Sequence, residues 1–234
     1  MTTDTALAVF LLQSAIFGLF IIAVRRRNIA AAVNTAGAFV LALLPVIIPI
    51  VLPVTLTQSV IFGPVFPLWL AAAGFLHSLG MLGLYESIWW WDHLTHTLSA
   101  ALVAALLYAG FIVTLPDIAG VGGSSGIIVT ATVVCTFAVG VFWELIELIA
   151  REVSERFDIE PVLVHYGWRD TILDLVFDVV GALIVIGADL RIFVPLMEQF
   201  PDVTADVLVG SAWIVLGGSV LLALLVGLGS SMRS

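Results

Sequence analysis

Arg169-Asp170-Thr171-Ile172-Leu173-Asp174-Leu175-Val176-Phe177-Asp178-Val179-Val180-Gly181-Ala182 places a carboxylate at every fourth residue of a run otherwise apolar enough to cross a bilayer. At about 100° per residue, Asp170, Asp174 and Asp178 drift by only about 40° per step, so they form one file on a helix, with Gly181 at its inner end. A charge at bilayer depth costs on the order of 3 kcal/mol or more, so such a file faces a bundle interior or a wet cavity rather than lipid. It is the first candidate for a functional site.

The rest of the chain fits a membrane setting. Its 234 residues are 62% hydrophobic and 11% charged, the composition of a polytopic protein rather than a soluble domain. We expect an all-α, multi-pass transmembrane helical bundle in the cell (plasma or inner) membrane. About seven spans are predicted, near residues 5–24, 29–54, 68–88, 92–115, 127–150, 170–188 and 205–229, within a single transmembrane domain. The first run is followed, not preceded, by Arg25-Arg26-Arg27, so it reads as a retained span rather than a cleaved signal. Pro45, Pro49 and Pro53 predict a bent or broken second span. Pro116 to Gly126 reads as an external loop, and Arg151 to Trp168 as a polar loop holding a short surface helix.

Seventeen acidic residues face eight basic ones, and all eight are arginine. An acidic chain without lysine points to a high-salt, halophilic cell and leaves no basic surface for nucleic acid. With the N-terminus outside and the C-terminus cytoplasmic, Arg25, Arg26, Arg27, Arg151, Arg156, Arg169 and Arg233 fall on the cytoplasmic side and only Arg191 outside. The lone Cys135 sits in an apolar run, which rules out a disulfide within the chain.

This orientation sets polar residues of three spans at one depth. Asp92, His93 and His96 open the fourth, Glu144 and Glu147 close the fifth, and Asp174 and Asp178 lie near the start of the sixth. Five carboxylates meet two nearby arginines, Arg151 and Arg169, so pairing alone does not neutralise them; buried acids must then protonate, keep water or hold a metal. Imidazoles beside carboxylates on facing helices suit Zn, Fe or Mn. His93, His96, Glu144, Glu147 and Asp174 are the candidate ligands, with Asp92 and Asp178 as general bases or groups that orient a ligand. A purely structural hydrogen-bonded network, including a Glu147–Arg151 pair, is the bland alternative. Asn34 reads as a bond to a neighbouring helix, His77 as a satisfied interior histidine, His165 and Glu160 as solvated, and Trp89-Trp90-Trp91 as an interfacial belt.

At these residues the chain resembles the YjdF-like inner-membrane protein family. The pattern is Asp-x-x-x-His (Asp92, His96), then Glu-x-x-Glu (Glu144, Glu147), then Asp-Thr-x-x-Asp before Gly-Ala (Asp170, Thr171, Asp174, Gly181, Ala182). The likeness runs from about Phe66 to Ala188, and His93 stands where the family commonly has arginine. It implies a polytopic membrane protein of unassigned activity.

Two functions compete on the residues themselves. One is a membrane metalloenzyme that uses a divalent ion on a lipid-like substrate near the cytoplasmic face, with membrane lipid as its surroundings. The other is a proton- or cation-conducting transporter or channel built on the same carboxylates, and a noncatalytic membrane subunit is a third option. A retinal protein is excluded, because its Schiff base needs a lysine and there is none.

Overall fold

A backbone in hydrocarbon must hydrogen-bond to itself, and a helix does this within one segment. In the computed structural model of this chain every regular element among the described residues is helical, as the hydropathy predicts. The structure describes residues 3–51, 63–119, 125–158, 162–163 and 167–231. Pro53, Glu160, His165 and Arg233 lie outside them.

The chain divides into two compact units, Met1–Thr95 and His96–Ser234, with the division falling inside one helix. In the first unit, α1 (Thr3–Arg25), α2 (Ile29–Val51) and α3 (Val65–Leu79) pack on one another. Small residues make this possible: Ala38, Ala42 and Ala71 meet Ile16 in a buried cluster edged by Leu12, Phe39 and Phe75. Gln13 adds a polar tie from α1, donating to the Ala42 carbonyl at 2.8 Å. Of the expected bend or break in the second span, no break falls at Pro45 or Pro49 among the described residues. The helix runs on through Pro45 and Pro49 to Val51, since spans tolerate prolines where neighbours compensate the lost bonds.

Beyond α3 the chain passes through a π-helical turn, Gly80–Leu84, into the short α4 (Tyr85–Ser87). Gly83 has φ +122°, open to glycine and strained for other residues. Gly80 is equally constrained, because the Tyr85 ring occupies the space where a Cβ would sit.

The second unit contains most of α5 (Trp91–Ala119), then α6 (Ser125–Phe157), α7 (Trp168–Gly187), the single turn α8 (Val194–Met197) and α9 (Pro201–Ser231). The expected loop at Pro116 is shorter in this structure, as α5 continues to Ala119. The surface helix expected after residue 150 is instead the end of α6, whose 33 residues make a rod about 50 Å long against a hydrocarbon core of about 30 Å.

Six helical segments among the described residues are long and apolar enough to cross a membrane: Thr3–Arg25, Ile29–Ile48, Val65–Ser87, Trp91–Leu115, Gly126–Phe157 and Pro201–Gly227. The seventh expected span is α7. Its 20 residues also reach about 30 Å, but Arg169 and the three aspartates set it apart from the apolar six.

Candidate metal and proton site

The site grows from α7. Gly167, at φ +117°, turns the chain into the helix, and its carbonyl accepts the Asp170 and Thr171 amides. The four-residue spacing then aligns Asp174, Asp178, Gly181, Ala182 and Val185 on one buried stripe. The acids are inside: Asp174 is 2% exposed and Asp178 6%.

Two glycines bring neighbouring helices onto this stripe. A Cβ on Gly181 would lie 2.6 Å from the Thr97 carbonyl oxygen and 2.9 Å from the Ala101 nitrogen, so α5 and α7 touch backbone to backbone. That crossing carries His96 onto the acids. Its Nδ1 lies 3.2 Å from Asp178 Oδ1 and its Nε2 lies 3.9 Å from Asp174 Oδ1. On the other side, a Cβ on Gly140 of α6 would fall on Asp178 Oδ2. The Asp178 carboxylate is therefore seated between a bare stretch of α6 backbone and the His96 ring.

Glu144, one turn beyond Gly140, is 4% exposed. Neither of its oxygens has a hydrogen-bond partner among the described residues. The charged groups around it are His96 from α5 and Asp178 and Asp170 from α7, and the Thr171 hydroxyl lies alongside without closing a well-formed bond. Leaving a buried polar group unsatisfied costs about 1–3 kcal/mol, which makes this carboxyl a candidate for a functional role.

The remaining sequence candidates are distributed differently. Glu147 is not part of the buried stripe; it accepts the Trp143 indole N–H at 3.0 Å on an exposed part of α6. Arg151 pairs with Glu155 at 2.8 Å, and the Arg169 guanidinium sits 5.4 Å from the centre of the Trp168 ring. In the first unit His93 is buried with its ring edge-on to Trp89. Asp92 is in the first turn of α5, four residues before His96 on the same helix. His96 and Asp174 of the second unit are donor types that a divalent metal accepts.

Sequence reasoning missed Thr132, Thr136 and Gly140. These share the four-residue spacing that ends at Glu144, a signal that was present and outweighed by the more conspicuous Glu-x-x-Glu.

His77 and Asn34 are interior residues of the first unit. His77 Nδ1 is 2.7 Å from the Tyr85 hydroxyl and its Nε2 is 3.3 Å from Asn34 Oδ1, linking α2 to α3.

Residues 7–193 match the model of a family described as "Predicted membrane protein (DUF2238)". The chain belongs to this family. The segment that carries the motif resemblance lies within the matched range. No curated protein and no solved structure matches the chain. A member of DUF2238 thus presents, in helices α5 to α7, an imidazole between two buried aspartates and a third buried acid, Glu144, beside them.

Proposed function

We propose that this protein binds one divalent cation, Zn, Fe or Mn, at His96 Nε2 and Asp174, with Asp178 holding the ring. The observation that carries this reading is the asymmetry at His96. Its Nδ1 is within hydrogen-bond reach of Asp178, whereas the 3.9 Å between Nε2 and Asp174 Oδ1 is too long for a hydrogen bond. That separation is just under twice the usual ligand distance of about 2.0–2.1 Å, so one ion can bond both atoms. A carboxylate on the far nitrogen is the common support of a metal-bound histidine, fixing its tautomer and raising its basicity.

Two protein ligands leave positions for water or substrate, as in metal sites that perform chemistry rather than only hold a fold. At this depth the substrate class is lipid-like. The arginine distribution supports a site on the cytoplasmic side of the cell membrane, with α7 counted as a span.

The test is elemental analysis of purified protein beside the His96→Gln and Asp174→Asn variants, with folding checked by size-exclusion chromatography. Near-stoichiometric metal in the parent, lost in both folded variants, is the expected result. A parent that stays metal-free after reloading overturns the reading.

A further inference from the structure

We propose that the hydrogen-bonded chain of Asn34, His77, Tyr85 and Thr95 in the first unit is a binding site for one proton, received on the His77 ring. None of the proposed metal ligands belongs to it.

The local fold brings this chain together. In a regular helix, residues eight apart are separated by about 12 Å along the axis, too far for His77 to touch Tyr85. The π-helical turn between them, with Gly83 at φ +122° and no Cβ on Gly80 where the Tyr85 ring lies, turns the backbone so that the Tyr85 hydroxyl reaches His77 Nδ1 at 2.7 Å. Turns of this kind inside helices are frequent at functional sites. On the other edge of the ring, Asn34 Oδ1 lies 3.3 Å from Nε2. The amide is fixed in that sense, because Asn34 Nδ2 donates to the Ala30 carbonyl at 2.9 Å and the reverse setting would press oxygen on oxygen. The phenol also meets Thr95 Oγ1 at 3.3 Å, and Thr95 Oγ1 meets the Asp92 carbonyl at 2.8 Å.

This chain is one hydrogen short. It has four links, Asn34 to His77, His77 to Tyr85, Tyr85 to Thr95 and Thr95 to Asp92, and both ends are acceptors, an amide oxygen and a backbone carbonyl. A neutral imidazole, a phenol and an alcohol each bring one hydrogen. Three hydrogens cannot fill four links, whichever tautomer the ring adopts and whichever way the hydroxyls turn. An imidazolium brings a second hydrogen and fills them all. The lengths agree with a shortage: two links are 2.7 and 2.8 Å, while the other two, at 3.3 Å, exceed the usual limit of about 3.2 Å.

The groups that meet the ring are Asn34 from α2 and the titratable Tyr85 from α4. Asp92 of α5 enters the chain through its backbone carbonyl, and α1 meets α3 through apolar groups, Ile16 and Leu12 beside Ala71 and Phe75. Hydrogen bonds from a charged donor are roughly twice as strong as neutral ones, which offsets the cost of burying the charged ring.

The experiment is nitrogen NMR of the full chain with isotope-labelled histidine, in bilayers of neutral lipid with chelator present, titrated over about pH 4 to 9. Chelation separates this outcome from that of the metal reading, and the signals lost in His77→Gln identify the ring. The parent is expected to show hydrogen on both His77 nitrogens at the acid end and to release one toward the alkaline end. Asn34→Leu and Tyr85→Phe, each of which removes one acceptor from the ring, should bind the proton about 10-fold or more weakly. Gln13→Leu, which removes a polar tie elsewhere in the first unit, leaves proton binding unchanged. Folding is checked by chromatography, and the parent titration decides by itself if a variant does not fold. A parent ring that never carries both hydrogens in this range, or never releases one, overturns the proposal, as do folded Asn34→Leu and Tyr85→Phe proteins with the parent's proton affinity.

Discussion

The carboxylate of Asp178 lies where a side chain at position 140 would be, and Gly140 is what admits it. Sequence spacing set the aspartate file on α7, but the file reaches its neighbours only because α6 is bare at Gly140 and α7 itself is bare at Gly181, where the α5 backbone packs.

Gly140→Ala therefore displaces Asp178 and its contact with His96. Overpacking of this kind costs about 1–3 kcal/mol, so thermal unfolding in detergent should drop by several degrees. Gly187→Ala is the control: nothing lies within 4 Å of its Cβ position, and its stability should hold or rise slightly. Equal melting of both variants would contradict the seating of Asp178 against α6.

Gly181→Ala should be worse. The obstruction there is α5 backbone, not a side-chain end, and the only relief is to part the helices. A loss of about 3 kcal/mol or failure to fold is expected, read from expression and melting. Loss of the proposed metal binding at His96 in any protein that does fold would follow from the same displacement.

Asp178→Asn keeps the shape of the group that orients His96 and removes its charge. Groups in this position typically contribute 10–100-fold to metal affinity. A competition titration with a chromophoric chelator should show a weakening of about that size. Unchanged affinity would remove Asp178 from the supporting role.

At the other end of α7, beyond the spans, the Arg191 guanidinium first and the Tyr108 hydroxyl second hold the Asp189 carboxyl below the usual carboxylate range. A folded-state value below the unfolded one adds stability that is full above the unfolded value, about 3.9, and is lost as pH falls through the folded value. The parent should melt above Asp189→Asn at neutral pH, and the gap should close on acidification below about pH 4. A gap independent of pH would assign the difference to packing.

Orientation is open to direct labelling. In a Cys135→Ser background, Arg26→Cys should react with a membrane-impermeant thiol reagent only from the cytoplasmic side, and Ile192→Cys, whose parent residue is 40% exposed, only from outside. The reverse pattern would move the acidic site to the outer half of the membrane.

The helical class was legible because lipid removes the alternatives: long apolar runs without partners for a strand ladder have one way to satisfy their backbone. The aspartate file was legible for the same reason, since acids inside such a run must face inward. Glu144 and Glu147 show where the reading ran out. Three residues apart, they differ by about 60° around the helix, and only packing decides which edge is buried. The four-residue stripe of Thr132, Thr136 and Gly140 put Glu144 inside and left Glu147 to Trp143. His93 and His96 part in the same way, one ring on Trp89 and the other on the aspartates. Pro45 suggested a break because proline rules are learned in water, where a lost amide bond is not made good by surrounding helices.

Asn34 has a consequence of a different kind. Its amide nitrogen donates to the Ala30 carbonyl of its own helix at 2.9 Å, which turns the amide oxygen toward His77. His77 Nε2 lies 3.3 Å from that oxygen and Nδ1 2.7 Å from the Tyr85 hydroxyl, which donates onward to Thr95 Oγ1 at 3.3 Å. One side-chain amide on α2 thus opens a polar chain that runs through a histidine on α3 and a phenol on α4 to the Thr95 hydroxyl. The first unit's helices are keyed to one another by polarity as well as by fit, so that a helix rotated out of place would meet donor with donor.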